Sequence, residues 1–173
     1  IKEGLKEPLY FIMTIHTPLS VAGGLAGRNE RIREFMSENP EELLAALDVI
    51  TGTLADFAAA CLEAGAGGFF LSTALYGSAD YLSPEEFNRF SRPFDMKLLE
   101  ALAGAAFNVL HVCRANIMLA DMLDYPVDAL NWDVHGKGNP SLADVRRKTD
   151  KILIGGLSQN GSMLEGDDER LEE

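Results

Sequence analysis

The chain has 173 residues, 47% of them hydrophobic, which is enough for one domain with a packed core and excludes a disordered chain. Its formal net charge is −12, and 15 Lys and Arg against 27 Asp and Glu exclude a phosphate-tracking nucleic-acid surface. No apolar stretch is expected to reach the roughly 18 residues of a membrane helix, no secretory signal is visible, and two widely spaced thiols, Cys61 and Cys113, make no disulfide framework, so a cytoplasmic protein is expected.

Residues 9–15 (LYFIMTI) read as a strand. Residues 40–64 read as a long helix: Asn39 is suited to its N-cap, Pro40 to its first position and Glu42 to the third residue past the cap. Ala64-Gly65-Ala66-Gly67 ends it, and residues 68–73 (GFFLST) form the next strand. Cys61, on a helix face with Leu54, Phe57, Ala58 and Leu62, reads as a buried structural thiol. Ser83-Pro84-Glu85-Glu86 is a second capping box, opening a helix to about residue 103. A strand over 107–113 follows, then a short helix over 116–123 and a strand over 127–132. Ser141 caps a helix through Arg147, residues 151–155 form a fifth strand, and Asp167 starts one more helix.

Strands alternating with amphipathic helices predict a parallel α/β sheet with right-handed crossovers. An open doubly wound sheet and a (β/α)8 TIM barrel both fit. No G-x-G-x-x-G follows any strand, which favours the barrel. Five strands in one undivided domain over residues 1–173 make about five βα units, a fragment of a barrel with strands missing at both ends.

Active sites of such barrels gather at the C-terminal ends of the strands. All three histidines are expected there: His16 after the first strand, His111 at the end of the third, His135 after the fourth. Tyr76, Cys113, Trp132, Asp133 and Gln159 share that rim. Structural roles compete: His16 as a loop cap, His135 as a surface residue, Tyr76 as a cover of the barrel mouth, Trp132 as packing. The most suggestive pattern is His111-Val112-Cys113. Strand alternation points the imidazole and the thiol to the same face, where they can hold two corners of a zinc tetrahedron.

Leu110 to Cys113 (LHVC), residues 82–87 (LSPEEF), Ala64-Gly65-Ala66 before a strand, Asn131-Trp132-Asp133 at a strand end and residues 150–157 (DKILIGGL) together resemble the uroporphyrinogen decarboxylase superfamily. The resemblance implies a (β/α)8 barrel longer than this chain and two activities. Cobamide-dependent methyltransferases move a methyl group from a corrinoid, the methyl donor, to a thiol such as coenzyme M. They do so at a zinc site made of H-x-C and a distant Cys. Here His111 and Cys113 match the first two metal ligands, and the third would lie beyond Glu173. True decarboxylases remove acetate carboxyls from a tetrapyrrole with no cofactor. Their substrate-contacting tyrosine would fall near Gly23, where this chain has none. Gly156-Leu157-Ser158-Gln159 departs from the usual Asn-Leu-Asp-Pro, and Arg114 stands where Gly is usual.

The leading expectation is zinc-dependent methyl transfer from a corrinoid, possessed by a corrinoid protein partner, to a small-molecule thiol. Asp133 and His135 are the expected catalytic residues, and His16, Tyr76, Trp132 and Gln159 the expected substrate contacts. The alternatives are cofactor-independent uroporphyrinogen decarboxylation and a non-catalytic tetrapyrrole- or corrinoid-binding barrel. A homodimer is a further expectation, since half a barrel exposes two sheet edges.

Overall fold

A computed structural model describes residues 10–27 and 29–156. The element order is β1 (Ile12–His16), α1 (Pro18–Ala26), α2 (Asn29–Glu38), α3 (Pro40–Glu63), β2 (Gly68–Ser72), α4 (Pro84–Glu86), a π-helical turn (Phe87–Ser91), α5 (Arg92–Ala101), β3 (Phe107–Val112), a 3-10 turn (Leu119–Met122), β4 (Ala129–Trp132), α6 (Leu142–Arg146) and β5 (Ile152–Ile154). The five strands form one sheet in the order β1-β2-β3-β4-β5, and every pair is parallel. A doubly wound sheet would reverse its strand order at a switch point. Sequential order with helical crossovers is that of a (β/α)8 barrel, of which this is a part.

Strand alternation divides the sheet into two faces. Ile15, Phe69, Leu71, Leu110, Val112, Leu130 and Trp132 belong to the core cluster, together with Leu19, Ile32, Leu43, Leu47, Phe87 and Leu98 from the helices. The opposite face is the barrel interior. There Ile12, Ile152 and Ile154 remain 36%, 53% and 40% exposed, because β1 and β5 each have one neighbour among the described residues. Gly68 lets β2 and β3 begin side by side: a Cβ there would overlap the Phe107 carbonyl.

Residues 17–39, in which the sequence pattern marked no element, hold two helices. Gly23, Gly24 and Gly27 weaken local helix propensity. Packing overrides it: Pro18, Leu19, Ala22 and Gly23 of α1 are buried, as are Ile32 and Met36 of α2.

Several expected boundaries change. Asn39 precedes α3 but its side chain makes no capping bond, so the first of the two expected capping boxes is absent. The second is present: Ser83 N–H donates to Glu86 Oε2 at 2.8 Å and Glu86 N–H to Ser83 Oγ at 3.2 Å. The helix it opens is not continuous. Pro93 has no N–H to give to the preceding turn, and the chain widens into the π turn before α5 resumes. The helix expected over 116–123 shrinks to one 3-10 turn. Ile117 and Met118 give their N–H groups to Asn139 Oδ1 and the Gly77 carbonyl instead. The expected helix at Asp167 lies outside the described residues.

α3 also corrects the expectation that no segment is long and apolar enough for a membrane. By length and composition this 24-residue helix is. In the fold it lies on the barrel exterior with Leu43, Leu47, Thr51 and Ala58 buried, and Lys97 of α5 pairs with its Asp48 at 2.5 Å. Cys61 is half-buried against the core, whereas Phe57 is exposed.

Asp95 of α5 is fully buried. Its Oδ2 accepts from Ser91 Oγ at 3.0 Å and from Tyr125 Oη at 2.9 Å, while Oδ1 has no partner among the described residues. Burial raises its pKa to about 7, against the lowering effects of the Tyr125 and Ser91 hydrogen bonds and the Arg92 charge. This network joins α5 to the segment that follows β3.

Candidate functional site at the strand ends

Register places one row of side chains across the interior face near the C-terminal ends of the strands. His16 pairs with Ser72, Ser72 with His111, His111 with Asn131, and Asn131 with Ile154. Neighbouring strands are about 4.8 Å apart, so adjacent members of the row can touch. Cys113, two residues past His111, extends from the same face.

His111 is held on two sides. Its ring stacks on Phe70, with centroids 4.9 Å apart and planes inclined by 27°. Its Nδ1 lies 2.6 Å from Asn131 Oδ1. The neighbouring Cys113, with Asn131, lifts its pKa above the ordinary value although burial opposes this. Burial pushes the Cys113 thiol up, but the neighbouring His111, the Ser72 hydroxyl and the Arg114 charge outweigh it and bring the pKa below its ordinary value. Ser72 Oγ and Cys113 Sγ are 3.9 Å apart. The thiol pKa is thus shifted in the direction found for metal-binding or nucleophilic cysteines.

Three non-glycine residues on this rim have positive φ: Ala74 (47°), Arg114 (84°) and Asn116 (50°). Such conformations persist only where the surroundings over-determine them. Asn139 supplies much of that constraint. Its Nδ2 donates to the Arg114 carbonyl at 2.9 Å and the Asp133 carbonyl at 2.8 Å, and its Oδ1 accepts from Ile117 N–H. The loops after β3 and β4 are thereby clamped together below Cys113. Ser78 Oγ adds a bond to the Ala115 carbonyl at 2.6 Å, joining the loop after β2.

The structure brings His111 and Cys113 together and places His16 in their row, exposed and two strands away. It does not bring the other expected residues to them. Trp132 follows Asn131 and so points outward into the core, with Nε1 donating to the Pro140 carbonyl at 2.9 Å. Tyr76 is buried against Gly23 of α1, and its hydroxyl donates to Asn29 Oδ1 at 2.9 Å. A side chain at Gly23 would collide with that ring. Asp133 Oδ1 accepts from the His135 backbone N–H at 2.9 Å, a local turn. His135 Nε2 donates to the Gly156 carbonyl at 3.0 Å and latches the β4 loop to the end of β5. Gln159 lies outside the described residues. The sequence pattern did not mark Asn131, Ser72 or Phe70 as site residues. The signal for the first was present: a polar residue at an alternate position of an otherwise apolar strand.

Among the described residues, no group of three His, Cys, Asp or Glu side chains converges as a metal site would need. His111 and Cys113 fit two positions of a zinc tetrahedron in donor type and facing, with Asn131 behind the imidazole.

A parallel barrel segment with a polar row at its strand ends defines the TIM-barrel class. Within that class, the chain belongs to the uroporphyrinogen decarboxylase family, whose model, described as "Uroporphyrinogen decarboxylase (URO-D)", matches residues 1–173. Among solved structures it is similar to a methyltransferase from Methanosarcina mazei, with a TM-score of 0.66 and 24% identity over 77% of this chain. The chain spans 39% of that protein. No curated protein matches.

Proposed function

We propose that this chain carries part of the active site of a zinc-dependent methyltransferase, which passes a methyl group from a corrinoid to a small-molecule thiol. The observation that carries the reading is the His111–Cys113 pair: one strand face, and a thiol whose pKa His111 and Ser72 bring below its ordinary value against burial. In this reading His111 gives an imidazole nitrogen and Cys113 a thiolate sulfur to the metal. A third ligand comes from outside the described residues. Zinc, when bound, keeps a substrate thiol deprotonated at neutral pH. Phe70 and Asn131 hold the imidazole plane, Ser72 hydrogen-bonds the cysteine sulfur, and the clamp at Asn139 keeps the following loop in place. Tyr76 and Asp133, expected at the site, are engaged within the fold and carry no part of the reading. Both cysteines are free, in keeping with a reducing cytoplasm.

Zinc content of the full-length protein, beside that of its His111→Ala variant, tests the proposal. The parent should carry zinc and the variant should lose most of it. Equal and negligible zinc in both, or release of CO2 from uroporphyrinogen by metal-free protein, would refute it.

A further inference from the structure

The amide of Asn131 has its orientation dictated from behind. Its nitrogen donates to the Ile154 carbonyl at 2.9 Å, and a carbonyl can only accept. Its oxygen is therefore the atom that faces His111, at 2.6 Å from Nδ1. An amide oxygen also only accepts, so the proton of that hydrogen bond sits on Nδ1. The neutral ring is then left with its lone pair on Nε2. Phe70, stacked on the ring at 4.9 Å, opposes the flip that would exchange the two nitrogens.

His111, Asn131 and Ile154 fall in one row of the sheet: Asn131 is in register with His111 on one side and with Ile154 on the other. The relay from the β5 backbone through the Asn131 amide to the imidazole therefore follows from strand pairing rather than from a mobile loop.

We infer that Asn131 is a positioning residue that fixes His111 as the Nδ1–H tautomer and presents Nε2 as the free donor atom. Its relevance to catalysis rests on His111 being a metal ligand, as proposed above, but the tautomer itself does not. A ligating histidine with its second nitrogen bonded in this way binds metal more tightly, and removal of such a partner typically lowers affinity about 10- to 100-fold. The group behind the imidazole here is a neutral amide. It fixes the tautomer without adding a charge to the site.

The test separates the two claims. Long-range 15N–1H correlation spectra of the histidine rings, taken on metal-free protein, report the tautomer of each. The chain has only three histidines, His16, His111 and His135, so a His111→Gln variant assigns the signals. His111 is expected as Nδ1–H. In Asn131→Leu it should redistribute toward Nε2–H, and Co2+ affinity should fall about 10- to 100-fold. Asn131→Asp keeps an acceptor toward Nδ1 while it replaces the donor to Ile154 by an oxygen and adds a charge; it should retain the proton on Nδ1. An Nε2–H tautomer in the parent protein overturns the inference even if Asn131→Leu fails to fold. So does a tautomer and affinity unchanged in Asn131→Leu. An Nδ1–H parent that binds neither zinc nor Co2+ upholds the tautomer assignment and removes the metal reading instead.

Discussion

Asp95→Asn isolates the cost of a buried carboxylate. In the fold Asp95 has a pKa of about 7 against an ordinary value of 3.8, because burial penalises its charged form more than two hydrogen bonds and Arg92 favour it. The folded state thus binds more protons than the unfolded state between these values, and stability falls as pH rises through that window. Between pH 5 and pH 8 the loss attributable to this one group is about 2–3 kcal/mol, from the shift of 3.8 to about 7. His111 is shifted upward too, and so contributes with the same sign. The quantity to measure is therefore the difference between the parent and Asp95→Asn. The amide preserves an acceptor for Ser91 and Tyr125 and places a neutral NH2 where Oδ1 has no partner. Urea unfolding at both pH values should show a steep decline for the parent and a shallower one for the variant, which should be at least as stable as the parent at pH 8. The same slope in both proteins would refute the reasoning.

Arg114→Gly should raise stability by about 1 kcal/mol in thermal or urea unfolding, since glycine adopts the φ of 84° without the steric cost an arginine bears. A loss of stability would mean that the arginine side chain contributes more than its backbone costs. In metal-free protein at neutral pH, iodoacetamide should modify Cys113 before Cys61, and His111→Gln should slow that reaction, because His111 helps hold the thiol below its ordinary pKa. Peptide mapping after brief alkylation decides it; an unchanged rate in the variant would remove His111 as the cause.

The sequence by itself determined the strand-helix alternation, and with it the five strands and their parallel pairing. Runs such as FNVLHV and GFFLS leave little choice but burial, and the Ser83–Glu86 capping box is a local device that survives in the fold. Alternation also sufficed to put His111 and Cys113 on one face. In residues 17–39, α1 was illegible because Gly23 and Gly24 obscure it and packing against Tyr76 and the core sustains it, whereas α2 has no glycine and buries only Ile32 and Met36. The break at the π turn was missed for the opposite reason: a proline interrupts a segment whose pattern is otherwise helical.

The site itself is where tertiary structure decided most. Side-chain periodicity cannot say which strands are neighbours, and it is the pairing of β2, β3 and β4 that sets Ser72, His111 and Asn131 in one row. Proximity at a strand end in sequence did not make Trp132, Tyr76 or His135 part of that row. Trp132 is one residue out of phase, Tyr76 is drawn into the gap at Gly23, and the His135 ring is bonded to the Gly156 carbonyl. Local sequence specifies which face a side chain takes; only long-range strand register specifies which other side chains it meets there.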